Sequence, residues 1–154
     1  MAARATDRPR VRVAALMVRD GQVVLARHRA GSSVYHLLPG GGVNWGETLE
    51  QALIREVAEE TGLSARIGRL LFVNDTIDPS GCRHVVNLTF EATITGGEIT
   101  SSPDDVRVEA VDLVGPEQLP ALDLRPPMAE ALQGAIAGET FDSAYLGSLF
   151  TPGA

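Results

Sequence analysis

Apolar residues near the start of the chain fall in continuous blocks, and only later do they take up helical spacing. Val11 to Val18 is apolar but for Arg12, with β-branched valines at both ends, and runs to Asp20-Gly21, with Val23-Val24-Leu25-Ala26 following at once. That pattern predicts two strands joined by a tight turn, an opening hairpin. After Ala30-Gly31-Ser32-Ser33, a short strand from Tyr35 to Leu38 runs into Pro39-Gly40-Gly41-Gly42, where three consecutive glycines are expected to stop it. From Thr48 to Thr61 the period becomes helical, and Gly62 stands where a left-handed C-terminal cap belongs. Two strands, about Arg66 to Asp75 and Arg83 to Thr95, flank Asp78-Pro79-Ser80-Gly81, a type I turn sequence, and form a second hairpin. Val106 to Val114 reads as a strand, Pro116 to Leu119 as a helical turn, and Met128 to Ala137 as a helix ending at Gly138. Phe141, Tyr145, Leu146 and Phe150 are spaced so that the last segment docks on the body. Strands mixed with helices, beginning with a hairpin, imply an α+β fold: a mixed sheet with helices packed on it, not an all-parallel doubly wound sheet.

Composition narrows the setting. At 154 residues, 44% hydrophobic and 21% charged, the chain is expected to form a single domain over residues 10–154, preceded by a disordered arm over residues 1–9. Arg4, Arg8, Arg10 and Arg12 crowd this end and read as a frayed, solvated tail. A net charge of −7 argues against a general nucleic-acid binder, so phosphate must be met locally. All thirteen bases are Arg, which excludes a P-loop lysine, a Schiff-base lysine and a Ser-Lys dyad. The single Cys82 allows no intrachain disulfide, the first ten residues lack a signal-peptide core, and no apolar run approaches the roughly 20 residues of a bilayer span. The expectation is a cytoplasmic protein with no membrane partner; a homodimer is left open.

Candidate chemistry enters with the helix. At 100° per residue, taking Glu56 as zero, Glu59 lies at about −60° and Glu60 at about +40°, a single acidic strip. Leu53, Val57, Thr61, Ile54 and Ala58 fall between about +60° and +200° and form the expected buried side. Like charges at these spacings repel by some tenths of a kcal/mol per pair, and a cation relieves them. An all-oxygen donor set selects a hard ion, Mg²⁺ or Mn²⁺. Gly40-Gly41-Gly42 just upstream lets backbone approach a ligand and turn a carbonyl toward it. Arg55, one turn before Glu59, can hold that carboxylate; as an exposed pair alone this contributes about 0.3–0.5 kcal/mol.

Read from Gly41, the chain has Gly, five residues, Glu47, seven residues, then Arg55-Glu56-Val57-Ala58-Glu59-Glu60-Thr61-Gly62-Leu63. All nine specified positions of the Nudix hydrolase signature are met, so this stretch resembles the Nudix (MutT-like) family. A chance match is on the order of 10⁻⁹ per starting position, which makes the motif strong. Outside it, Leu38-Pro39-Gly40-Gly41-Gly42 and Glu117-Gln118-Leu119-Pro120 are similar to the family's entry strand and late turn. The resemblance implies an α/β/α sandwich over most of residues 10 to 138. It further implies Mg²⁺-dependent hydrolysis of a nucleoside diphosphate linked to another group, water attacking one phosphorus. Carried over residue by residue, Glu56, Glu59 and Glu60 become metal-facing, Gly40 supplies a carbonyl, and Glu47 and Arg55 organise the loop–helix junction. The base is either Glu56 or a later carboxylate, from Asp104, Asp105 and Glu109.

The substrate is read from weaker signs. Pro79 falls sixteen residues after Leu63, a spacing that resembles the ADP-ribose pyrophosphatase group, although a turn explains the same proline. Arg27 and Arg29, ending a strand near the glycine loop, are candidates to meet phosphates, together with Gly41, Gly42 and Asp104. ADP-ribose or a nucleotide sugar is therefore the expected small-molecule substrate. One alternative is a triphosphate such as 8-oxo-dGTP, with Asp104-Asp105 reading a purine edge; another is a non-catalytic ligand-sensing module. An isopentenyl-diphosphate isomerase-like enzyme would want a catalytic Cys–Glu pair, and Cys82 sits in a turn. Trp45 is read either as a base-stacking residue or as a cover for the helix start.

Overall fold

The structure is a computed structural model that describes residues 8–100 and 102–151. Most of the expected N-terminal arm, residues 1–7, lies outside the described residues. Arg10–Leu16 forms β1, Val18–Arg19 β2, Gln22–Ala30 β3, Ser33–Leu37 β4 and Gly40–Gly42 β5. The remaining elements are α1 (Leu49–Thr61), β6 (Leu63–Ile77), β7 (His84–Gly97), β8 (Val108–Val114), a 3₁₀ turn (Pro116–Ala121), α2 (Ala129–Ile136) and β9 (Tyr145–Ser148). One sheet has the order β5-β1-β7-β6-β9; the other joins β2, β4 and β8 to β3.

The apolar run of β1 from Val13 on is explained by what covers it. Val13 and Ala15 pack with Ala52, Leu53 and Val57 of α1. Ala14 and Leu16, on the opposite face, pack with Phe72, Leu124, Met128 and Leu132. A strand covered on both faces needs no polar alternation. Helices therefore lie on both sides of a mixed sheet, the expected α/β/α sandwich.

Two local expectations are corrected. β1 does not form the opening hairpin with β3; it pairs antiparallel with β5 and parallel with β7, while only Val18–Arg19 pair with β3. Fully buried Met17 carries the chain between sheets. The Asp20-Gly21 turn itself is as expected, with φ of 50° and 78°. The short strand does end at Leu37, ahead of the glycines, but the glycines are themselves a strand. They are β5, in register Val13↔Gly41 and Ala14↔Gly40, because a Cβ on Gly40 would lie 2.0 Å from the carbonyl oxygen of Val13.

The other elements follow their sequence signals. Thr48 caps α1 in a reciprocal capping box with Gln51, and Gly62 closes it at φ 78°. β6 and β7 form the long second hairpin, with Gly81 N–H donating to the Asp78 carbonyl at 2.8 Å. Phe141 packs edge-to-face on Phe72 at 4.9 Å, and β9 adds in parallel to β6, so the last segment does dock on the body.

Candidate functional site

The buried arc of α1 differs from the one its apolar residues suggest. Ala52, Leu53, Glu56, Val57, Glu60 and Thr61 are buried. The arc thus runs from about −40° to +140° and takes in two of the three glutamates. Ile54 and Ala58, assigned to the buried side, are exposed instead. β5 lies directly against this acidic part of the helix, since a Cβ on Gly41 would sit 2.4 Å from the Glu56 carboxyl carbon.

Glu56 and Glu60 are 8% and 2% exposed, whereas the Glu59 side chain is 43% exposed. The expected trio Glu56, Glu59 and Glu60 is therefore split. Asp105 takes the third place: one ligand atom from each of Glu56, Glu60 and Asp105 lies within 4.8 Å of the others. The last turn of α1 accounts for its arrival. Helices leave their final carbonyls without intrahelical donors, and here the Thr61 and Glu59 carbonyls accept from Thr100 N–H and Asp104 N–H, both at 2.9 Å. That anchors the loop one residue before Asp105. Arg107 then grips the Asp105 carboxylate from its backbone N–H at 2.9 Å and from Nη2 at 2.8 Å, holding its pKa below the usual range.

Glu60 carries the electrostatic burden. Burial, reinforced by Glu56 and Asp105, pushes its pKa up to about 8, although Arg12 and the Gly40 N–H, 3.4 Å from Oε1, pull the other way. Its Oε2 is buried without a hydrogen-bond partner. An orphaned carboxylate oxygen beside two further carboxylates is a donor set that fits a hard divalent cation. Linkage gives a signed prediction. In the metal-free protein Glu60 keeps its proton up to about pH 8 while the unfolded chain gives it up near the ordinary carboxylate pKa, so stability falls as pH rises between the two. Cations compete with that proton. Mg²⁺ is expected to raise Tm, and more above about pH 8 than near pH 6; thermal melts at both pH values, with and without Mg²⁺, check this, and an equal shift at both would count against it.

Arg55 organises the junction of loop and helix, by a wider set of contacts than the expected bond to Glu59. Its Nε and Nη2 meet both Glu47 oxygens at 2.8 Å, Nη2 also donates to the Gly42 carbonyl at 3.1 Å, and Nη1 donates to Glu56 at 2.8 Å. Glu59 lies farther from it, at 3.4 Å. The pairing with Arg55 and the Asn44 N–H hold Glu47 down at about 2. Trp45 is fully exposed and does not cover the helix start.

The remaining sequence candidates are elsewhere. Arg29 meets Glu109 at 2.7 Å and Arg27 meets Glu109 and Asp112 at 3.2 and 3.6 Å, across the β3–β8 register. Both arginines thus already have acidic partners, Arg29 through Nε and Nη2, and Glu109 is not one of the trio. Asp104 is exposed and contributes its backbone N–H. His36 and His84 pair with Asp112 and Asp75 at 2.8 and 2.9 Å.

Arg12 is the site residue that sequence reasoning missed. Far from a frayed tail, it stands in β1, donates to the Leu38 carbonyl at 2.8 Å, and lies close enough to Glu60 and Glu56 to feel their charge. The signal was there: it is a cation between Val11 and Val13 in an apolar strand whose later residues, from Val13 on, are buried. From Arg12 a narrow cleft continues between the sheet and the chain after β8, past Leu38, Asn87, Thr89, Leu124 and Pro126. A larger hollow of about 560 Å³ opens between β2, β7 and α2 and contains none of the trio.

Comparisons with known proteins converge. The sequence profile of the NUDIX domain matches residues 8–134. An ADP-ribose pyrophosphatase of Methanocaldococcus jannaschii is 34% identical over 106 residues, which cover 68% of this chain and 63% of that protein's length. The crystal structure of a MutT NUDIX hydrolase from Burkholderia pseudomallei is 36% identical with a TM-score of 0.68, over 82% of this chain and 97% of the other. A NUDIX hydrolase from Nitrosomonas europaea shares the fold at a TM-score of 0.75 and 23% identity, over 87% and 93% of the two chains.

Proposed function

This chain belongs to the Nudix family, and on that footing we propose that it hydrolyses the pyrophosphate bond of a nucleoside diphosphate derivative, ADP-ribose or a nucleotide sugar, with Mg²⁺ or Mn²⁺ held by Glu56, Glu60 and Asp105. The observation that carries the reading is the carboxylate trio, buried at Glu56 and Glu60, with its unpartnered Glu60 oxygen. When bound, such an ion neutralises the phosphate oxygens, lowers the pKa of the attacking water and stabilises the leaving phosphate. The residues do the rest. Glu47 and Arg55 keep the glycine strand closed on the helix, and Arg55 holds one oxygen of Glu56. Arg107 keeps Asp105 ionised and turned inward. In place of the carboxylates expected from sequence, we assign half-exposed Glu59 to accept the water's proton, since it is not buried and its pair with Arg55, at 3.4 Å, is the longest that arginine makes. Arg12 supplies positive charge where substrate phosphate meets the cleft.

The substrate preference rests on two observations. Arg27 and Arg29, the candidates to meet phosphates, have the carboxylates of Glu109 and Asp112 beside them, which disfavour the more highly charged triphosphate, and a relative of 34% identity is named an ADP-ribose pyrophosphatase. ADP-ribose is expected to exceed dGTP and 8-oxo-dGTP in kcat/KM at equal Mg²⁺, a ratio that reports differential transition-state binding. A preference of about tenfold or more for either triphosphate would reject the substrate and spare the chemistry. Chelation is expected to abolish turnover on every substrate and excess Mg²⁺ or Mn²⁺ to restore it; full activity in chelator would end the hydrolase mechanism itself.

A further inference from the structure

We propose that, among nucleoside diphosphate derivatives, those carrying a phosphomonoester in addition to the pyrophosphate being cleaved are preferred over their unphosphorylated counterparts, ADP-ribose included, and that an arginine-lined hollow at the outer end of the cleft receives that phosphate. This deepens the hydrolase reading and rests on it for the position of the pyrophosphate. The hollow, of about 60 Å³, is lined by Arg12, Arg83 and Arg125 together with Thr76, Asn87 and Thr151. No Asp or Glu lines it or the narrower cleft that joins it to Arg12 and Leu38. Three guanidiniums thus border one hollow whose lining holds no carboxylate, their acidic neighbours, Asp123 for Arg125, Asp78 for Arg83 and Glu60 and Glu56 for Arg12, standing outside it. The space exceeds what a single water needs and admits a compact anion.

Two of the three arginines are oriented before any ligand arrives. Arg125 is clamped by Nε and Nη2 on the Asp123 carboxylate at 3.0 and 2.8 Å, and its plane lies 4.0 Å over the Tyr35 ring. These contacts leave its Nη1 uncommitted. Arg12 is fixed through Nη2 on the Leu38 carbonyl. Arg83, at the mouth beside the start of β7, makes no ion pair among the described residues, and its charge, together with burial, helps to depress the pKa of Arg12. Like charges held together at a hollow's mouth are relieved by an anion. Guanidinium forks with hydroxyl and amide donors beside them are the chemistry of phosphate recognition. Because Arg12 faces Glu60 and Glu56 as well as the hollow, the reacting pyrophosphate and the second anion would lie to either side of one residue.

The source of the phosphate is either the 2′ or the 3′ position of the nucleoside, and paired ligands distinguish them. Adenosine 2′,5′-bisphosphate and adenosine 3′,5′-bisphosphate are titrated against 5′-AMP by calorimetry in Mg²⁺ buffer, and hydrolysis is compared for 2′-phospho-ADP-ribose against ADP-ribose and for coenzyme A against dephospho-coenzyme A. One charge-assisted phosphate contact should favour the phosphorylated member of at least one pair by about tenfold or more. Arg83→Gln should bring that ratio toward one, while Arg69→Gln, which removes an equal charge from an exposed ion pair with Glu91, should leave it as it was. Equal affinities within every pair in the unsubstituted protein overturn the proposal, and so does a preference that survives Arg83→Gln. If no pyrophosphate is hydrolysed, the hydrolase reading fails by itself and the calorimetric ratios still decide the hollow.

Discussion

Glu60→Gln is expected to lower kcat/KM by at least about 100-fold while leaving the metal-free protein as stable as before. Outer residues at metal sites typically cost 10–100-fold, so a direct ligand should stand at or above the top of that range. The stability side follows from burial. At neutral pH the metal-free protein keeps Glu60 protonated, its pKa being raised to about 8, and glutamine replaces a neutral carboxylic acid at nearly constant shape. Removing this carboxylate from the neighbourhood of Glu56 and Asp105 also relieves repulsion above that pH. The Mg²⁺-induced rise in Tm should disappear with the activity. A variant that keeps both the thermal shift and turnover would show Glu60 to be a buried structural acid.

Gly41→Ala is expected to cost at least about tenfold in kcat/KM with the fold retained. Gly41 does not have a positive φ, so alanine is conformationally acceptable there. What it lacks is room: the added methyl would lie 2.4–2.5 Å from the carboxyl atoms of Glu56. A side chain is easier to displace than backbone, so Glu56 should swing away from Glu60 and Asp105 and break its bond with Arg55. Gly40→Ala makes the contrast, because its methyl would meet the Val13 carbonyl, and a clash with backbone should lower Tm, overpacking typically costing about 1–3 kcal/mol. The pair is read by melts and kinetics together. Normal turnover in Gly41→Ala would mean that the position of Glu56 is unimportant to the reaction.

The sequence by itself determined those features whose partners lie within a turn or two of one another. Thr48 with Gln51, Gly62 after Thr61, the Asp20-Gly21 turn and the Asp78–Gly81 turn are local hydrogen-bonding and φ requirements, and each is where residue type placed it. The nine-position motif likewise identified the family and the helix bearing the acids. Helical arithmetic put three glutamates on one strip, but it has no means of knowing what covers the strip. Tertiary structure decided that β5 packs on the side of Glu56 and Glu60, leaving Glu59 half exposed. It also brought in Asp105, through backbone bonds from residues 100 and 104 to the helix's last carbonyls, contacts that no side-chain pattern encodes. Arg12 looked like part of a charged tail until parallel pairing with β7 made its strand central, and Arg27 and Arg29 looked available until the β3–β8 register set Glu109 and Asp112 against them. Capping, turns and periodicity depend on neighbours in sequence, whereas burial, ion pairing and the clustering of like charges depend on segments tens of residues apart, which only packing brings together.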